Sequence, residues 1–351
     1  MDINKILESA IHAPSGDNCQ PWRFVIKGNQ IHVFNLPERD TSLYNFRQRA
    51  ALIAHGALIE NVLIASSASG CKASLRVFPD RMDPNLFSVI ELENSDAGNE
   101  PLYTYIPQRS TNRKLYKSAP LTPGQKESLF DASKYLSDGE LRLLEKPQEK
   151  KVVAKALGIN DRLVFENPHL HKFLFDHIRW TKEEAQETGD GLDIRTLEIT
   201  GPQISGFRLL RNWSLVQKLN LLGLSRLVAK KAEKLCLSAS AIGLIVIEND
   251  RDEDFLAGGR LMQRVWLEAA RMGLSFHPML GIAFLIQRVL GGDTKELSPE
   301  HINLISDARK EIQAAFNLKE GTILMLFRIG YSEAPSARSL RLPVQKVAEI
   351  V

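Results

Sequence analysis

Apolar positions recur at helical spacing from the start of the chain. Ile3, Ile6, Leu7, Ala10 and Ile11 predict a helix over residues 2–12. Residues 22–34 read as two strands around a Gly28-Asn29 turn, and 48–69 as a long buried helix. Residues 73–79 and 86–93 read as strands. Helices are expected near 123–136, 147–157, 160–166 and 168–187. Residues 203–235 are basic and amphipathic. A strand follows at 242–248, a helix at 255–272, one or two helices over 298–315, and a last strand at 322–330. This mixture gives an α+β class.

Two of the predicted helices share a pattern. Gly56–Gly70 and Gly259–Gly273 coincide at Gly, Leu, Val and Gly in the first, third, seventh and last of fifteen positions. Both end on Gly, a good helix stop, and both run into strand-like sequence. The repeat suggests two related units. The polar stretch Glu93–Glu100 is the best boundary, dividing the chain into 1–100 and 101–351. Residues 165–235 have no counterpart in the first unit and are either a lid insertion or an extra packing layer.

Composition narrows the chemistry. The 351 residues are 44% apolar and 25% charged, enough for a large core. Cys19, Cys71 and Cys236 show no CxxC pairing, which argues against a disulfide scaffold or zinc cluster and for a cytoplasmic location. The N-terminus, with acidic residues and no long apolar core, does not read as a signal peptide, and no apolar run reaches membrane-spanning length. The net charge of +3 is too mild to imply a nucleic-acid partner. No P-loop, GxSxG or strand-linked GxGxxG is present, and Gly291-Gly292 reads as a turn. His169, His171 and His177 lack the partners of a metal site. The expectation is therefore no metal, no nucleic acid and no membrane partner.

The densest chemistry lies in Ala13–Phe24, APSGDNCQPWRF, a turn of small and polar residues between helix and strand. Such a turn offers backbone N–H groups and short side chains to a ligand. With its Pro14, Ser15, Asn18, Gln20, Pro21, Trp22 and Phe24, it resembles the PSxxNxQPWxF signature of the nitroreductase family, FMN-dependent oxidoreductases. Arg109-Ser110-Thr111-Asn112-Arg113 resembles that family's RxSxR motif, with Thr111 in the Ser position. Arg328-Ile-Gly-Tyr331 with Arg338, Arg341 and Pro343 resembles its C-terminal ending, with Ser332 in place of a Pro. The order of the first two motifs is reversed relative to a single family unit. The chain is thus similar to the tandem, single-chain Acg-type branch: two fused nitroreductase-like units forming a pseudo-dimer.

The resemblance implies an FMN site between the units. Arg109 and Arg341, with Arg338, would hold the phosphate, which favours guanidinium forks. Ser110 or Thr111 would bond phosphate or ribityl oxygens. Arg113 would lie near the pyrimidine edge of the ring, where a positive charge stabilises reduced flavin. Pro14, Ser15, Gly16 and Asn18 would contribute from the other unit. In Met272–Leu280 a backbone N–H would face flavin N5. Pro278 has none, so Met279 or Leu280 would supply it. His277 is either a substrate contact or a surface or capping residue, and Cys19 a small filler. No side chain is assigned as catalytic. The implied activity is NAD(P)H-driven reduction of nitroaromatic, quinone or related small acceptors, by a monomer or a homodimer. The alternative is an FMN storage protein with a covered flavin.

Overall fold

The computed structural model describes residues 2–96, 98, 100–136 and 139–351. The expected boundary Glu93–Glu100 falls partly on residues 97 and 99, outside the described residues.

The first part of the chain runs α1 (Ile3–Ala10), β1 (Trp22–Lys27), β2 (Gln30–Asn35), α2 (Arg49–Ala68), β3 (Cys71–Val77) and β4 (Leu86–Asn94). The second opens with α3 (Pro123–Ser133) and β5 (Gly139–Leu144). A largely helical stretch follows: α4 (Pro147–Glu166), α5 (Pro168–His177), β6 (Ile178–Arg179), α6 (Lys182–Thr188), β7 (Leu192–Asp193), α7 (Gly201–Leu209), α8 (Trp213–Leu221) and α9 (Leu224–Leu237). The chain then returns through β8 (Ala241–Ile247), α10 (Asp252–Arg271), β9 (Ser275–Met279), α11 (Gly281–Leu290), α12 (Pro299–Ala315) and β10 (Thr322–Gly330). It closes with α13 (Val344–Val347) and β11 (Ala348–Ile350).

The two main sheets have the same topology. One is ordered β11-β1-β2-β4-β3, the other β5-β8-β10-β9. In each, the first two strands pair antiparallel, a 20-residue helix follows the second, and the next two strands form the far side. β11 joins β1 in parallel, so the end of the second part completes the first sheet. The helical stretch α4–α9 stands where the first part has only the Gly28 hairpin turn.

α2 and α10 cross at the centre of the molecule. A Cβ on Gly56 would lie 2.1 Å from the Leu256 carbonyl oxygen, and one on Gly259 would lie 2.2 Å from that of Ile53. Each glycine meets the residue three positions before its counterpart, the reciprocal contact of a two-fold interface. Only glycine allows backbones this close. Beside the crossing, fully buried Glu60 on α2 receives Arg260 and Arg264 of α10. The sequence repeat is thus a pair of helices packed on each other.

His55, also fully buried on α2, donates from Nδ1 to the Ala51 carbonyl at 2.8 Å. Burial pulls its pKa down from 6.5 to about 4. Because the folded pKa lies below the unfolded one, unfolded chains bind the extra proton. Stability is therefore lost as pH falls through the window from 6.5 to about 4. Between pH 7 and pH 5 this single group should remove about 2 kcal/mol. Urea unfolding of the wild type and of His55→Leu checks it: the wild type should show the steeper acid loss.

Several elements differ from the sequence expectation. Residues 147–166 form one helix, not two. The helix expected over 168–187 ends at His177, because Ile178 and Arg179 pair with Leu192 and Asp193. β10 is not the last strand, and β5, α11 and β11 were not foreseen. Among the described residues one helical stretch, Phe46–Ala68, is long and apolar enough to cross a membrane, and 89% of its apolar 18-residue window is buried inside the fold.

Candidate functional site

One cavity of about 560 Å³ lies between the two parts of the chain. Its lining includes Pro14, Ser15, Gly16 and Asn18 from the loop after α1, and Arg109, Ser110, Thr111 and Arg113 from the connection between sheets. Met279 and Leu280 enter from the end of β9, and Arg338 and Arg341 from the segment before α13. Every residue singled out in the sequence as a cofactor contact reaches this one space.

The loop after α1 is held in an unusual conformation. Asp17, Asn18 and Gln20 have φ of 42°, 58° and 51°, a left-handed region that costs non-glycine residues energy. Side chains hold it there. The Ser15 hydroxyl accepts from the Gln20 N–H at 2.9 Å. Fully buried Gln20 donates to the Gly189 carbonyl at 3.0 Å and accepts from the Leu342 N–H at 2.9 Å. Asn18 donates to the Leu340 carbonyl at 3.0 Å and accepts from Arg341 at 2.8 Å. The loop and the C-terminal segment therefore position each other.

Three guanidinium groups gather at this end. Arg109 donates to the His12 carbonyl at 3.0 Å and lies 4.1 Å from the centroid of the Trp266 ring. Arg341 reaches the same carbonyl at 3.3 Å. Arg338 bonds the Pro107 carbonyl at 2.7 Å. Among the described residues none of the three has a carboxylate partner, and the buried Nε atoms of Arg109 and Arg341 have no hydrogen-bond acceptor. Burial, then the neighbouring Arg341 and Arg338, hold the Arg109 pKa well below its usual range. Burial brings Arg341 down to about 10. His12 is held at about 4 by burial and these three cations. Buried cations without a counter-charge are costly, so this end of the cavity is built for an anion.

Residues 109–113 are extended, not helical. They run beside β9, where Thr111 bridges to Phe276 and the Asn112 N–H donates to the Phe276 carbonyl at 2.9 Å. Buried Asn112 fixes the segment through Ser275 and Glu333. Arg113 donates to the Thr196 carbonyl at 3.2 Å.

His277 is neither a surface nor a capping residue. It lines the cavity, and its Nδ1 accepts from Arg328 Nε at 3.0 Å. Arg328 is fully buried, bonds the Leu235 and Lys114 carbonyls at 3.0 and 2.9 Å, and lies 4.1 Å from the centroid of the Tyr116 ring. Burial and the cations Arg328 and Arg113 keep His277 neutral. The proton then sits on Nε2, a donor available to the cavity.

A search of family models matches nothing to this chain. Curated relatives do match. An uncharacterized protein of Mycobacterium tuberculosis is 27% identical over 96% of this chain and 46% of its own length. Another from that organism, provisionally named an NAD(P)H nitroreductase, is 26% identical over 35% of this chain and 36% of its own length. A third, provisionally named NAD(P)H nitroreductase acg, is 29% identical over 28% and 30%. In sequence the chain is similar to these nitroreductase-named proteins over about a third of its length. It spans less than half the length of each of these relatives. Among solved structures, an FMN-dependent nitroreductase from Mycobacterium smegmatis in complex with NADPH aligns at 12% identity, covering 70% of this chain and 95% of its own, with a TM-score of 0.40.

Part of this site had no sequence signal. Asp17, Asp40 and Asp161 also line the cavity, and burial pushes the carboxyls of Asp17 and Asp161 up to about 6. His12 and Trp266 were not foreseen either, since each acts through a partner distant in sequence. Cys19 is buried and does not line the cavity. Burial, Asp40 and Asp17 raise its thiol pKa, so it is unreactive. His169 pairs with Glu296, while His171 and His177 each bond a backbone carbonyl, and no metal-binding cluster exists among the described residues.

Proposed function

We propose that this cavity binds FMN and that the chain is an FMN-dependent NAD(P)H oxidoreductase. The observation that carries the reading is the trio Arg109, Arg338 and Arg341, with two buried Nε donors and, among the described residues, no carboxylate to receive them. A flavin phosphate, with nearly two negative charges, matches that donor set. The cavity's size lies in the range of small-molecule sites. The units would be residues 1–100 and 101–351, fused so that the cofactor sits between them.

Bound FMN would supply hydride transfer from NAD(P)H to a nitroaromatic, quinone or related acceptor. The protein's part is positioning and charge. Arg109, Arg338 and Arg341 would neutralise the phosphate, with Ser110 and Thr111 beside them. Ser15, Gly16 and Asn18 would contribute from the loop after α1, with Asn18 already bonded to Arg341. Arg113 would place a positive charge near the electron-rich edge of the ring, and His277 would offer Nε2–H. No side chain is needed as acid or base, since solvent can supply protons. The working form would be a monomeric pseudo-dimer or a dimer of it.

A second reading is flavin storage without turnover. It is favoured by one observation: Leu170, Phe173, Leu174, Phe207 and Val228, from the helical stretch 165–235, wall the cavity. The absorption spectrum before and after anaerobic NADPH separates the readings. Yellow protein that bleaches supports the oxidoreductase. Yellow protein that stays oxidised supports storage. A colourless protein that fails to take up added FMN would remove both.

A further inference from the structure

The outer side of α7–α9 carries an apolar surface that none of the described residues covers. Leu209, Leu221, Leu222 and Leu227 are 65%, 87%, 86% and 66% exposed. Leu221 and Leu222 form the tip of the α8–α9 turn, where Gly223 takes φ of 92°. Leu222 and Leu227 share a concavity of about 440 Å³ with Arg226 and Lys230. Clustered leucines this exposed mark an interaction surface.

Its charge is equally one-sided. Residues 201–237 hold seven Lys or Arg and one acidic residue, Glu233. The excess of six positive charges is larger than the net +3 of the entire chain, so the remainder is net negative. All seven cations are exposed, and none forms an ion pair among the described residues. On α9, Leu227, Lys230, Lys231 and Lys234 follow one helical stripe, while Ser225, Ala232 and Cys236 face inward. Leucines beside unpaired lysines and arginines are the signature of a helix lying in a membrane interface.

We propose that α7–α9 dock this protein on an anionic lipid surface. Leu221 and Leu222 enter the headgroup boundary, and Arg226, Lys230 and Lys231 meet lipid phosphates. This revises the expectation of no membrane partner, which rested on the absence of a spanning segment. Two other occupants fit less well. A nucleic-acid backbone would satisfy the cations but leave the leucines in water. A second copy would bring two strongly positive faces together.

The test is sedimentation of the full chain with vesicles of phosphatidylcholine alone and of phosphatidylcholine containing a third phosphatidylglycerol. Binding to the anionic vesicles should be about tenfold or more the stronger, and should fall with added salt. Leu221→Glu with Leu222→Glu should cost about tenfold or more in vesicle binding. These side chains lie outside the core and the cavity, so the thermal transition of the variant should match the wild type. Equal or absent binding to both vesicles overturns the proposal. So does dimerisation that the leucine variant abolishes, or binding to duplex DNA in place of vesicles. FMN binding is a separate readout, so the outcome here stands apart from the function proposed above.

Discussion

A variant carrying both Arg109→Ala and Arg341→Ala is expected to lose FMN affinity by about a hundredfold to a thousandfold. A charge-assisted hydrogen bond contributes roughly 1.5–3 kcal/mol, or about ten- to a hundredfold for either substitution alone. The two should not add fully. The guanidiniums share the His12 carbonyl and repel each other, so removing one relieves the other. Fluorescence titration with FMN measures the loss. Arg109→Ala alone should leave the free protein no less stable, because it removes a buried cation with no carboxylate partner among the described residues, whereas Arg341 also holds Asn18. Unchanged FMN affinity in the double variant would take the phosphate away from this end of the cavity.

Glu60→Ala is expected to destabilise the fold by about 3–5 kcal/mol. Glu60 is fully buried and receives Nε donors from both Arg260 and Arg264, whose side chains are only 16% and 10% exposed. Its removal strands two guanidiniums at the α2–α10 crossing. Arg264 keeps a longer contact to Glu100 at 3.7 Å and lies 3.4 Å from the centroid of the Tyr135 ring, so Arg260 is left the poorer. A drop in the urea midpoint with little change in slope reads this out. Replacing all three side chains with aliphatic ones should restore much of the loss, since apolar packing substitutes well for a buried ion cluster.

What the sequence revealed and what it hid divide by the reach of the interactions. The helices α2 and α10 were legible because an apolar face repeats locally and each ends in a glycine. The β1–β2 hairpin was legible from its Gly28-Asn29 turn. The Ala13–Phe24 loop and Arg109–Arg113 could be read because their residue types are concentrated in a few positions. The rest depends on partners far along the chain. β11 is three residues long and becomes a strand only by joining β1. The break at Ile178 depends on Leu192, which no local pattern announces. Arg328 has the look of a strand-end charge, and its grip on His277 requires the β9–β10 pairing. The carboxyls of Asp17 and Asp161 are ordinary in sequence and become perturbed only inside the closed cavity.

The joining of β11 to β1 also sets a timetable. Phe24 faces Ala348, a partner made 324 residues later. At ribosomal speeds of about 5–20 residues per second, that is a wait of roughly 16–65 s. Throughout it, one edge of the first sheet stands open, and until Asp252–Arg271 is made the core beside it also lacks α10. An unpaired edge invites pairing with other chains. The nascent protein is therefore most vulnerable to aggregation before α10 emerges, and a chaperone holding residues 22–35 would act on the segment at greatest risk.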